Sequence, residues 1–71
     1  MNFQSLVYFK TVAELQHYTK AASTLFITQP ALSKAIHNLE VELGVTLLSR
    51  NRGGVVLTAD GRALLPKIER L

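Results

Sequence analysis

Residues 18–43 read YTKAASTLFITQPALSKAIHNLEVEL, and their spacing decides the fold. Thr19 is placed to cap a short helix from Lys20 to Phe26, with Ala21, Ala22 and Leu25 on its inner side. Only Ile27 and Thr28 then separate it from a longer helix, for which Thr28 is a good N-cap. Pro30 falls in the first turn, where the N–H it lacks would have no intrahelical partner. Beyond it Leu32, Ala35, Ile36, Leu39 and Leu43 lie within about 100° of one another at 100° per residue, forming one apolar stripe. Gly44 sits where a helix C-terminus favours glycine. Two helices joined by so short a turn must approach closely. Ala22 supplies the small side chain on the first, and Leu25, Ile27, Leu32 and Ala35 the apolar ones around it. With Tyr18 as the first position, apolar residues recur where a DNA-reading helix–turn–helix places its core.

The opposite face of the longer helix carries Pro30, Ser33, Lys34 and His37, with Gln29 at its N-terminal flank. Gln pairs bidentately with adenine, Ser adapts to donors or acceptors, and Lys reaches guanine O6 and N7. A solvated helix face has a similar composition, so the neighbourhood decides. Thr28 opens the helix at an end suited to an anion. Downstream, Val45 to Ser49 and Val55 to Thr58 flank Arg50-Asn51-Arg52-Gly53-Gly54. The glycine pair is expected to supply the positive φ of a tight hairpin turn. Arg50, Asn51 and Arg52 at such a tip suit a wing that holds phosphates or enters a minor groove. Glu40 and Glu42 make the tail of the longer helix acidic, so only its N-terminal half is expected to touch nucleic acid.

Upstream, Phe3, Leu6, Phe9, Val12 and Ala13 define a first helix capped by Asn2, and its periodicity fades at Leu15 to Tyr18. Thr58 caps a last helix with Asp60 in its first turn, running to the end of the chain. Gly61, Leu64, Ile68 and Leu71 recur along it as a seam for another helix, so Leu64, Ile68 and Leu71 are the expected dimerisation contacts. Over so short a helix, self-association through this seam should be weak. Pro66 removes a bond to the Arg62 carbonyl, so the helix either bends there or frays after Leu65, with fraying favoured in so short a chain.

Seventy-one residues make one small domain, and 48% apolar residues exclude a disordered chain. The formal charge of +3 permits a polyanion partner. Cysteine is absent, which excludes disulfides and Cys-based zinc sites. No apolar run approaches the ~20 residues needed to span a bilayer. The start Met1-Asn2-Phe3-Gln4 lacks the layout of a secretory signal, so the expected compartment is the cytoplasm, with no membrane partner. Neither His17 nor His37 has a partner at metal-ligand spacing, and no nucleophile-elbow or phosphate-loop motif occurs. The expectation is therefore a non-enzyme with no cofactor and no metal. No exposed aromatic stacking residue is expected, the two amphipathic rings being Tyr8 and Tyr18, both near the core, and this disfavours single-stranded targets.

Several of these segments together resemble a known family. Thr19 to Leu25, Gln29-Pro30-Ala31-Leu32-Ser33-Lys34, Ile36 to Glu40, Leu43-Gly44-Val45, Arg50 and Leu57 to Gly61 are similar to the N-terminal domain of LysR-type transcriptional regulators. The resemblance runs along essentially the whole chain, in order. It implies a mainly α, winged helix–turn–helix fold with a three-helix core, a small β-hairpin wing and a C-terminal linker helix. The DNA-binding domain would cover 1–57, with the helix–turn–helix at about 18–42 and the wing at about 46–57. Residues 58–71 would begin the linker and dimerisation helix. It implies double-stranded DNA as partner, read by a recognition helix at 28–42 in the major groove with wing 50–54 on backbone or minor groove. Gln29, Pro30, Ser33, Lys34 and, from the helix face itself, His37 would face bases. Thr19, Thr28, Arg50, Asn51 and Arg52 would hold backbone or minor groove. It further implies a homodimer or tetramer, and a small-molecule effector bound by a C-terminal domain outside these residues. His17-Tyr18-Thr19 stands where the family often has Ser-Phe-Thr, and Leu48 where Phe is frequent. Lys34 stands where Arg is common, exchanging a planar fork for a point charge. The rival reading is a winged-helix protein-interaction module that docks through its last helix without specific DNA binding.

Overall fold

The computed structural model describes all residues 1–71 as four helices and one hairpin in the order α1 (Phe3–Leu15), α2 (Tyr18–Leu25), α3 (Gln29–Leu43), β1 (Leu48–Asn51), β2 (Gly54–Leu57) and α4 (Ala59–Glu69). The fold is mainly helical with a two-stranded antiparallel wing, as expected. The Asn2 side chain accepts the Ser5 N–H at 2.8 Å and starts α1. Thr28 caps α3 through the Ala31 N–H at 3.2 Å, and Thr58 caps α4 through the Gly61 N–H at 3.1 Å. Each accepts one of the N–H groups that a first turn leaves without a partner.

The cap of α2 differs from expectation. Tyr18 is already helical, and His17 is the N-cap, its Nδ1 accepting the Lys20 N–H at 3.3 Å. Thr19 therefore lies in the first turn with its side chain exposed. At the other end α2 stops at Leu25 rather than Phe26. Phe26 takes a left-handed conformation at φ 59°, and the Ile27 N–H closes on the Ala22 carbonyl at 3.0 Å. The same pattern ends α3, where Gly44 (φ 73°) is followed by a bond from the Val45 N–H to the Glu40 carbonyl. Glycine adopts this conformation freely and phenylalanine does not. The turn of the helix–turn–helix is thus three residues, Phe26 to Thr28.

The core joins every element except the wing tip. Phe9 and Val12 of α1, Ala21 and Ala22 of α2, and Leu32, Ile36 and Leu39 of α3 meet Leu47, Leu48, Val55 and Ile68, with no buried polar side chain among them. Ala35 and Leu43 complete the α3 stripe at half-burial. Phe3, expected on the inner face of α1, is 69% exposed. Its place at the first position of α1 puts it beyond the edge of the core.

One expectation for the last helix is corrected. It does not fray at Pro66 but continues to Glu69, held by Ile68, which is only 8% exposed in the core. Burial also divides the three residues expected to form a dimerisation seam. Ile68 is spent inside the domain, Leu64 packs against the core, and Leu71 alone is exposed. Gly61 faces inward as well, against the Leu47 carbonyl and the Leu57 side chain. No helix is long and apolar enough to cross a membrane.

Candidate nucleic-acid interface

Opposite its leucine stripe, α3 presents Gln29, Pro30, Ser33, Lys34 and His37 on one outward face. At 100° per residue these five span about 140°, so one groove wall could meet all of them. Pro30, Lys34 and His37 are exposed, and Gln29 and Ser33 are half-buried. Lys34 has no ion-pair partner, leaving its charge free for an incoming anion or base edge. Thr28 spends its oxygen on the Ala31 N–H, which keeps the helix start in register.

The acidic tail of α3 is occupied by internal partners. Glu40 Oε2 accepts the Leu47 N–H at 2.7 Å and the Leu48 N–H at 3.2 Å, and Glu42 pairs with the N-terminal ammonium of Met1. A carboxylate accepting backbone N–H groups makes strong, charge-assisted bonds. Glu40 thereby fixes the path of the chain into β1, a role its place in an acidic tail did not reveal. The Thr58 hydroxyl donates to the Thr46 carbonyl at 2.5 Å, and the Thr58 N–H to the Leu47 carbonyl at 3.0 Å, closing the base of the hairpin.

The hairpin pairs Leu48 with Leu57, Ser49 with Val56, Arg50 with Val55 and Asn51 with Gly54, so its two-residue loop is Arg52-Gly53. The loop does not use both glycines as expected. Gly53 has no positive φ, and Gly54 has the unusual one, φ 131°. Gly54 lies so close to the Gln16 carbonyl that a Cβ would overlap its oxygen. The Asn51 side chain accepts the Gly53 N–H at 2.9 Å and braces the tip. Arg52 is exposed and unpaired at that tip.

Arg50 is the residue whose position sequence reasoning missed. It lies on β1 and not at the tip, and its guanidinium turns toward the helices. It stacks 4.3 Å from the centroid of the Tyr18 ring and donates from Nη2 to Ser33 Oγ at 3.2 Å. The same Oγ accepts from Gln29 Nε2 at 2.8 Å. Burial raises the Tyr18 phenol above its ordinary value, while the Arg50 charge pulls it down and Glu40 adds a smaller push upward. Wing, α2 and α3 thus meet at one polar junction. Beside it lies an open cleft of about 460 Å³, bordered by His17, Thr19, Gln29, Arg52 and Gly53. The five base-facing candidates share one face with the cleft at its edge, Thr19 and Arg52 line the cleft itself, and Leu64, Ile68 and Leu71 lie elsewhere on α4.

Two aromatic side chains are more exposed than the sequence suggested. Phe26 is 94% exposed in the helix–turn–helix turn, and Phe3 is exposed at the start of α1. No group of His, Asp or Glu side chains is arranged to hold a metal ion.

Comparison with known proteins converges on one family. The description "bacterial regulatory helix-turn-helix protein, lysR family" matches residues 3–62. The chain is 44% identical over 71 residues to YybE, an uncharacterised HTH-type transcriptional regulator of Bacillus subtilis, covering all of this chain and 24% of that protein. Among solved structures it is similar to the CbnR DNA-binding domain in complex with DNA, with TM-score 0.93 and 41% identity over 99% of this chain and 80% of that one. The BenM DNA-binding domain on catB site 1 DNA gives TM-score 0.94 and 43% identity over 99% of this chain and 79% of that one. The chain spans about a quarter of the length of the curated relatives it matches.

Proposed function

The chain belongs to the lysR family of bacterial regulatory helix-turn-helix proteins, and we propose from that premise that it reads a specific double-stranded DNA sequence to control transcription. The observation that carries this reading is the outward face of α3: Gln29, Pro30, Ser33, Lys34 and His37 aligned, with no large hydrophobe on that face until Val41. In the proposal α3 enters the major groove and these five side chains face base edges. Asn51 and Arg52 at the hairpin tip, with Thr19 and Thr28 at the helix starts, hold phosphates or a minor groove. The similarity to DNA-binding domains solved on DNA supports this reading over a protein-interaction module.

The relatives are transcriptional regulators, and no enzymatic step is assigned to this chain. Assembly as a dimer or tetramer belongs to the same proposal, with two half-sites about one helical turn apart. Contacts between copies would use surfaces other than the buried Ile68. A small-molecule effector, bound by residues outside this chain, and action in the bacterial cytoplasm complete the reading.

Selection of bound duplexes from a random pool tests it. Enrichment of one consensus, flattened at single positions by changes in the α3 face, supports the proposal. A pool that stays random through repeated rounds contradicts it.

A further inference from the structure

Ser33 Oγ carries an unusual load for a side chain on a reading face. A hydroxyl oxygen has two acceptor lone pairs and one hydrogen. Here Gln29 Nε2 donates to it at 2.8 Å and Arg50 Nη2 at 3.2 Å, so both lone pairs are engaged. Only the hydrogen remains free. Arg50 can act on Ser33 in one direction only, because a guanidinium has donors and no acceptor. Its stacking on the Tyr18 ring, 4.3 Å from the centroid, holds the plane in place from α2. The same network prepares Gln29. One amide hydrogen is spent on Ser33, leaving Oε1 and the second N–H, the acceptor and donor that match adenine N6 and N7.

We propose that Arg50 is a specificity-determining positioning residue that acts through Ser33: by engaging the second lone pair it makes the Ser33 hydroxyl a donor only. The base facing Ser33 must then offer an acceptor in the major groove. Guanine (N7, O6), adenine (N7) and thymine (O4) qualify, whereas cytosine presents only the N4 amino donor and is rejected. This inference rests on the proposed major-groove reading by α3 and adds a rule for one base position. It also gives the wing residue Arg50 a part in reading sequence without touching a base.

The test takes the duplex preferred by the unaltered chain, substitutes every base pair in turn, and measures affinity at several salt concentrations. The proteins are the unaltered chain, Ser33→Ala, Arg50→Ala and Arg50→Lys, each checked for folding by circular dichroism. The unaltered chain is expected to disfavour cytosine at one position by about three- to tenfold, the scale of one hydrogen bond. Arg50→Ala is expected to lose that penalty at the same position that Ser33→Ala flattens, with the salt slope unchanged. Arg50→Lys restores it, because an ammonium also only donates. Should Arg50→Ala fail to fold, Arg50→Met keeps an apolar stem over Tyr18 without a donor and takes its place. A donor-free variant that keeps the cytosine penalty overturns the inference. So does one that weakens all duplexes equally and lowers the slope by about 0.9, the mark of a lost phosphate contact. An unaltered chain with no preference among duplexes overturns the proposed function, and this inference with it.

Discussion

The Gln16 carbonyl accepts the Val55 N–H at 3.1 Å, tying the corner between α1 and α2 to the second strand of the wing. Gln16 is itself left-handed, at φ 55°, closing α1 with a bond from its own N–H to the Val12 carbonyl at 2.7 Å. One residue therefore ends a helix and anchors the hairpin. The angle of the wing to α3 depends on how closely these two backbones approach.

That approach makes Gly54 the least replaceable residue of the hairpin. A Cβ there would collide with the Gln16 carbonyl and would stand at φ 131°. Gly54→Ala is expected to destabilise the domain by more than ~2 kcal/mol, combining backbone strain with a forced shift of the wing. Gly53→Ala meets only the Asn51 side chain at 3.7 Å and should be nearly silent. Thermal melting of the two variants checks the contrast, and equal losses would refute it.

Ile68 is a core residue in this structure, so its loss should act on folding. Ile68→Ala is expected to cost about 2–4 kcal/mol, as buried large-to-small changes do. Leu71→Ala, at a residue 78% exposed, should change stability by no more than about 0.5 kcal/mol. If Ile68→Ala melted normally and altered only sedimentation, the side chain would belong to an interface between copies.

Tyr18 gives the stability a specific dependence on alkaline pH. Burial raises its phenol above the ordinary 10.0, against a downward pull from Arg50. Because the folded value is the higher one, the unfolded chain begins to release its proton first. The contribution is complete below pH 10.0 and is lost as pH rises from there through the folded pKa. Melting curves of the unaltered chain and Tyr18→Phe should keep a constant offset up to about pH 9. Above pH 10 the unaltered chain should lose stability more steeply. Parallel curves throughout would mean that burial does not perturb this phenol.

Lys34 and Arg52 are both exposed and free of ion pairs, yet they are expected to do different work. Lys34→Ala should narrow the gap between the preferred duplex and its single substitutions by about 1–3 kcal/mol at one base pair. Arg52→Ala should weaken binding about uniformly and reduce the salt slope by about 1. Affinity measured on a substitution panel separates the two. Identical profiles would contradict the division.

What the sequence made legible was local in origin. Asn2, Thr28 and Thr58 act within three residues of themselves, Gly44 within four, and the α3 stripe repeats along one helix. Each can be read from spacing. The misreadings share a different origin. His17 and Thr19 are both able to cap α2, and it is His17 that does so, with Tyr18 already helical and its ring against Arg50 of another element. Ile68 fits a helix seam equally well whether the partner is a second copy or the domain's own core. Phe26 takes the left-handed cap without glycine, so no residue type marked the end of α2. At the interface, the polar face of α3 followed from periodicity. The contact from Arg50 to Ser33, seventeen residues away in sequence, exists only because the hairpin folds back.

The function proposed for α3 is sequence-specific binding of duplex DNA. Its most direct test is the affinity of the chain for its selected duplex and for a shuffled duplex of equal length, each titrated against salt. Both affinities should fall as salt rises, with a log–log slope near −0.9 per neutralised phosphate, and the selected duplex should stay at least ~10³ tighter. Equal affinity for the two duplexes, or binding indifferent to salt, would contradict the account.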